Sequence, residues 1–277
     1  MNRLRNLLLL FAFITTPAAS LKGAVSVDPA REAVNGSLRG VAVTNAVTWP
    51  QDRTALGAGA SWWYDWKLDT ALDDPAYVPM AWWGQVPPFC PPILLTGNEW
   101  NVNFAPWGER VEPAEAARRV LAIEQACPNT RQVALGLSAD HWGNAGGWDG
   151  EIYLRTFLRA YRTQSGRAYR GTIALHCYAM NTADYCMRRL TRMTRAVKAY
   201  RGPWWLTEAA ILNGNAVEFR RLITFALPRF ERVAAYTPRL PGDCAALDWC
   251  AAFVGSGVEL VGPDGQLTTI GLEWTKH

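Results

Sequence analysis

What the chain lacks narrows its chemistry first. No segment approaches the ~20 consecutive apolar residues that a membrane-spanning helix needs. Only three histidines occur, with no Cys-x-x-Cys pair and no His/Cys cluster at zinc-ligand spacing. No Gly-x-Ser-x-Gly elbow presents a serine nucleophile, and Gly255-Ser256-Gly257 near the C-terminus is a flexible turn. No Lys/Arg-rich run marks a nucleic-acid footprint, and the formal charge is only +4. No internal repeat or low-complexity linker divides the 277 residues, so one domain is expected.

Against these absences stand 14 tryptophans and six cysteines. Excess Trp favours a saccharide ligand, because sugar rings stack on exposed aromatic faces, although many of these rings belong in a core. The N-terminus has the pattern of an export signal over residues 1–22. Arg3 and Arg5 precede an apolar stretch from Leu7 to Ile14, and small residues follow at Ala18, Ala19 and Ser20. The mature domain is then 23–277, secreted or periplasmic, and its cysteines are candidates for disulfides.

Short apolar, β-rich runs alternate with helical patterns, which argues for parallel βα units. The runs are Gly40–Thr44, Ala58–Trp62, Tyr77–Ala81, Ile93–Thr96, Val133–Ser138, Thr172–Tyr178, Trp204–Thr207 and Val233–Tyr236. Helices are expected from Pro113 to Gln125, Ile152 to Thr163, Arg188 to Tyr200 and Ala216 to Phe225. Eight strands in about 200 residues fit a compact (β/α)8 barrel. The tail Val258–Gly271, with its Pro263-Asp264-Gly265 turn, is expected to form a short C-terminal hairpin.

In such a barrel the chemistry sits at the C-terminal ends of the strands. Two apolar runs end in glutamate: Ile93-Leu-Leu-Thr-Gly-Asn98-Glu99 on the fourth strand, and Trp204-Trp-Leu-Thr-Glu208 on the seventh. Across the barrel mouth these carboxylates can converge. A pair of this kind is what glycosidic cleavage requires: one acid protonates the leaving oxygen, and one carboxylate attacks or activates water.

The pattern resembles glycoside hydrolase family 128, small retaining (β/α)8 barrels acting on β-1,3-glucan. The resemblance rests on Ser61-Trp-Trp-Tyr64-Asp-Trp66, Tyr77-Val-Pro-Met80-Ala-Trp82, Gly97-Asn98-Glu99, His176-Cys-Tyr178, Trp205-Leu-Thr-Glu208 and the tail Leu260–Gly271. It implies Glu99 as general acid/base and Glu208 as nucleophile. The chain departs from the family at Trp100, where a Pro is usual, at Cys177, where an aromatic is usual, and at Ala209, where a Phe is usual. Asn98 is placed to hydrogen-bond a sugar 2-hydroxyl and Tyr178 to donate to Glu208, while His176 is either a site residue or core packing. Trp62, Tyr64, Trp66, Trp82, Trp100 and Trp142 are the candidate groove aromatics. A monomer acting on a poly- or oligosaccharide is expected, with no metal or organic cofactor. The competing function is a non-catalytic carbohydrate-binding barrel, which has no need of two glutamates.

The same topology pairs the cysteines. Cys90 and Cys127 precede neighbouring strands four and five, while Cys177/Cys186 and Cys244/Cys250 each fall within one top-face loop.

Overall fold

The computed structural model describes residues 38–277 except 71, 104–109, 140–146 and 252. The expected export signal and Trp142 lie outside the described residues. Eight parallel strands form the wall of a barrel: β1 (Leu38–Ala42), β2 (Trp62–Tyr64), β3 (Met80–Ala81), β4 (Ile93–Thr96), β5 (Arg131–Ser138), β6 (Thr172–Ala179), β7 (Trp204–Ile211) and β8 (Arg232–Tyr236). Their order is β2-β1-β8-β7-β6-β5-β4-β3. A single bridge between Trp63 and Tyr77 joins the two ends. The helices are α1 (Trp49–Leu56), α2 (Pro113–Ala126), α3 (Gly150–Ser165), α4 (Ala183–Ala196), α5 (Ala216–Ala226), α6 (Asp248–Ala251) and α7 (Thr269–Thr275). This is the expected (β/α)8 barrel.

Several elements differ from expectation: β1 is shifted to Leu38–Ala42, β3 keeps only Met80–Ala81, and β7 runs past Thr207 to Ile211. Strand β2 begins at Trp62, because Gly57–Ala60 continue α1 as a 3-10 turn. Helix α4 starts and ends several residues early: the Ala183 N–H is taken by the Glu218 carboxylate at 2.8 Å, and Tyr200 turns back onto the Val197 carbonyl. The tail hairpin shrinks to one antiparallel bridge, Val261 to Leu267. Beyond it Thr268 caps α7 by accepting from the Gly271 N–H at 3.1 Å. Ile270 and Trp274, four residues apart, both go into the core, a helical rather than an alternating pattern.

Two apolar layers result. Inside the barrel lie Trp62, Tyr64, Met80, Leu95, Val133 and Trp205 with their neighbours. Arg232 closes the base of this layer, its guanidinium 4.5 Å from the Trp205 ring and 5.6 Å from Trp62. Gly40 is obligatory there, since a Cβ would stand 2.3 Å from the Trp62 ring. Between wall and helices lies the larger layer, built on Trp49, Trp63, Trp100, Phe157, Phe219 and Trp274. The three expected disulfides, Cys90–Cys127, Cys177–Cys186 and Cys244–Cys250, all form. Among the described residues no helix is long and apolar enough to cross a membrane.

Candidate active site

Backbone irregularity at one height of the wall creates the site. The β5–β6 ladder shifts register between Ala134 and Leu137, the β6–β7 ladder between Leu175 and His176, and the β7–β8 ladder between Leu206 and Ala209. Bulges re-aim side chains, and these bring His176 level with Glu208. The β5 bulge holds Leu135 and Gly136 at positive φ, 84° and 48°. It also turns the Gly136 carbonyl to accept the Glu99 N–H at 2.8 Å.

Glu99 itself has φ 48°, a left-handed conformation that costs a non-glycine residue energy and persists where its surroundings enforce it. Gly97, two residues earlier, has φ 85°, and any Cβ there would meet the Trp100 ring at 2.3 Å. The strand-four turn is therefore gripped by the Gly136 carbonyl on one side and by the Trp100 indole on the other.

Three side chains converge. His176, fully buried, places Nδ1 3.2 Å from Glu99 Oε1 and 3.4 Å from Glu208 Oε2. The three facing atoms lie within 4.8 Å of one another. Among the described residues this is also the one His–carboxylate set close enough to share a metal ion. Glu208 is wrapped by donors. The Tyr64 hydroxyl sits 2.9 Å and the Trp66 indole N–H 3.1 Å from Oε1, and the Tyr178 hydroxyl donates to Oε2. Its side chain is 5% exposed, against 16% for Glu99.

Burial raises the Glu208 carboxyl above its ordinary value, and the Glu99 carboxylate adds to the rise. His176 and the Tyr178 and Tyr64 hydroxyls pull the other way, because they favour the charged form. Burial, helped by the charge of Glu208, pushes the Tyr64, Tyr178 and Tyr236 hydroxyls well above the usual phenol range. They therefore remain protonated donors. Chemically the arrangement offers one donor-wrapped carboxylate and one more open carboxylate, bridged by an imidazole, at a barrel mouth.

The expected site residues divide. Glu99, Glu208, His176, Tyr178, Tyr64 and Trp66 form the convergent set, and Asn98 is buried beside them. Trp82 is half-buried against the barrel interior, with an indole N–H that finds no acceptor among the described residues. Trp62 and Trp100 do not belong on a groove wall. Trp62 is a plug inside the barrel, its ring 5.2 Å from Trp205. Trp100 is fully buried over Gly84 and Gly97, donating from Nε1 to the Trp82 carbonyl at 3.2 Å. Neither offers a sugar a free face.

Tyr236 was not anticipated. It ends β8 with its ring 5.3 Å from Tyr178 and 6.2 Å from Trp66, and it interacts electrostatically with both glutamates. Its position at a strand end was the available signal.

A family model described as "Glycosyl hydrolase catalytic core" matches residues 40–272. No curated protein sequence matches the chain. Among solved structures, a family 128 (subgroup II) endo-β-1,3-glucanase from Pseudomonas viridiflava is similar at 24% identity and TM-score 0.62, covering 87% of this chain and 97% of that one. A subgroup I endo-β-1,3-glucanase from Amycolatopsis mediterranei, in complex with laminaripentaose, matches at 19% identity and TM-score 0.62, over 87% of this chain and 99% of that one. A subgroup VII oligosaccharide-binding protein from Trichoderma gamsii matches at 15% identity and TM-score 0.55, over 87% and 93%. At these identities the likeness establishes the fold.

Proposed function

The chain belongs to the glycosyl hydrolase catalytic-core family, and from that premise we propose that it is an exported family 128 enzyme cleaving β-1,3-glucan with retention of configuration. One observation carries the mechanism: facing oxygens of Glu99, in the turn three residues past β4, and Glu208, within β7, lie within 4.8 Å. Retaining glycosidases keep their carboxyl groups ~5–5.5 Å apart, whereas inverting ones need ~6.5–9.5 Å to admit a water.

In this reading Glu99 gives its proton to the glycosidic oxygen while a Glu208 oxygen attacks the anomeric carbon, and the bond to the leaving sugar breaks. A covalent glycosyl-enzyme results. Glu99, now ionised, takes a proton from water, which displaces Glu208 and restores the pair. The donors from Tyr64, Trp66 and Tyr178 favour leaving the charge on Glu208. In this reading sugar hydroxyls are met by Asn98 and by the buried Trp82 indole N–H, which finds no acceptor among the described residues. Residues 1–22 direct export, and 23–277 form a single monomeric domain; the three disulfides support an oxidising destination.

The test is incubation of the purified protein with β-1,3-, mixed-linkage and β-1,4-glucans, with NMR of the first anomer released. β-Configured oligosaccharides from the β-1,3 polymer support the proposal. An α-anomer overturns retention, release from another polymer alone overturns the substrate, and tight binding without turnover supports a binding protein like the Trichoderma gamsii neighbour.

A further inference from the structure

The charge of the chain is unevenly placed. Residues 150–201 hold 11 Arg or Lys against two Asp or Glu, leaving 17 against 22 in the remainder of the sequence. Ten of those 11 are arginines. They form no run, because they recur at helical spacing. Arg155, Arg159 and Arg162 stand at i, i+4 and i+7 on α3, and Arg188, Arg192 and Arg195 repeat that spacing on α4. All six are exposed.

The two stripes meet. Glu151 of α3 accepts from Arg155 at 3.0 Å and from Arg192 of α4 at 2.5 Å, so one carboxylate sits between both rows. Arg188, Arg192 and Arg195 line a shallow groove of about 410 Å³ with Met187, Thr191 and Asp184. The other acids of the flank are already engaged: Asp184 by Arg221, Asp149 by Arg189, and Glu124 by Arg167. Among the described residues no acid pairs with Arg159, Arg162, Arg188 or Arg195.

We infer that the α3–α4 flank is a docking surface for a linear acidic polysaccharide, one bearing carboxylates or sulfates at regular intervals. Guanidinium forks bind pairs of carboxylate or sulfate oxygens in bidentate fashion, and a double row ~10 Å long per helix suits an extended polyanion rather than a single ion. Tyr185, one turn before Arg188, is half-buried with the Arg189 guanidinium 5.8 Å from its ring centroid, and Tyr153, Phe157 and Tyr161 are buried, so the described flank gives bases no row of open rings to stack on; nor are the six arginines accompanied by the apolar stripe that inserts into lipid. The surface lies on the outer wall of the barrel, so the inference stands apart from the reading of the catalytic site. A tethered hydrolase would be held in an acidic matrix while its cleft works on neutral glucan.

The experiment uses the whole mature protein and the probes polygalacturonate and heparin, with neutral dextran as blank. Wild type is expected to bind both acidic polymers at 50 mM salt, with affinity falling steeply as salt rises. Replacing Arg159, Arg162, Arg188 and Arg195 by Gln should weaken binding on the order of 10²-fold and flatten the salt slope. Turnover of short soluble oligosaccharides should stay unchanged. The comparison variant replaces Arg110, Arg118, Arg220 and Arg229, which alters net charge equally on other faces, and it should bind as wild type. Failure of wild type to bind, or equal loss in both variants, overturns the inference. Tighter binding of anionic vesicles or duplex DNA than of either polysaccharide at the same salt overturns it too.

Discussion

The two glutamates are held by different means. Glu208 is fixed by side chains: two phenols and an indole donate to it, and its strand runs on for three residues to Ile211. Glu99 is fixed chiefly by main chain: a left-handed turn, a carbonyl from the β5 bulge and a glycine pressed against Trp100, with His176 Nδ1 3.2 Å from one carboxylate oxygen. The difference matches the role each takes in the proposed mechanism. A group that must stay ionised benefits from fixed donors, which act on its charge. A group that must give and retake a proton needs its position held and its oxygens left open.

The comparison is most severely tested at the carboxylates themselves. Glu208→Gln should abolish turnover while the protein still folds and binds sugar, measured by kcat and by calorimetry with a laminari-oligosaccharide. Glu99→Ala should cost ~10²–10⁴-fold on natural glucan and far less on an activated aryl glycoside, which needs no proton. Equal losses on both substrates would remove the acid/base role from Glu99.

A second contrast lies in the tryptophans around Glu99. Trp100→Ala should destabilise the fold by about 3–5 kcal/mol, as loss of a fully buried ring does, seen as a lower Tm. Trp82→Ala should leave Tm nearly unchanged and raise KM. The reverse result would restore Trp100 to the groove.

The donors of Glu208 make a prediction in pH. Its carboxyl is raised, so as the proposed nucleophile it is ionised only above a pH higher than an ordinary glutamate needs, which is expected to set the acid limb of kcat/KM. Tyr178 lowers it, so Tyr178→Phe should move the limb to higher pH. The same substitution should slow turnover ~10-fold or more, from the loss of a charged hydrogen bond. The stability sign is opposite to the usual carboxylate. A folded-state pKa above the unfolded one contributes stability that is present at low pH and lost as pH rises through the folded value. Glu208→Gln should therefore melt higher than wild type at neutral pH, and the advantage should vanish in acid.

The smallest effect is expected at the main-chain clamp. In Gly136→Ala a Cβ would stand 3.1 Å from the Gly97 carbonyl and 3.2 Å from the His176 ring, at a φ of 48°. About 1–2 kcal/mol of stability should go with it. Any larger fall in kcat than in kcat of a Gly166→Ala control, where space is open, measures how far the clamp positions Glu99.

Strands four to eight were legible because periodic helices separate their apolar runs and a glutamate ending such a run is conspicuous, although β7 continues past Glu208 to Ile211. Strand two was shifted because alanines and glycines before Trp62 suit a strand and a 3-10 turn equally. The bulges were invisible: Val133-Ala-Leu-Gly-Leu reads as unbroken strand, and only three-dimensional register exposes Leu135 and Gly136. Trp62 and Trp100 misled because a tryptophan's identity does not say which side of a wall it faces. The arginine flank escaped a search for runs since its period is that of a helix.

The barrel wall is not equally strong around its circumference. Between β2 and β3 the two edges meet through strands of three and two residues and one bridge, diametrically across from the β6–β7 ladder that carries His176 and Glu208. Thermal opening should begin at this seam. Amide hydrogen exchange is expected to run fastest along 77–81 and slowest along 204–211, so that the cylinder breathes like a split ring whose gap lies opposite its working edge.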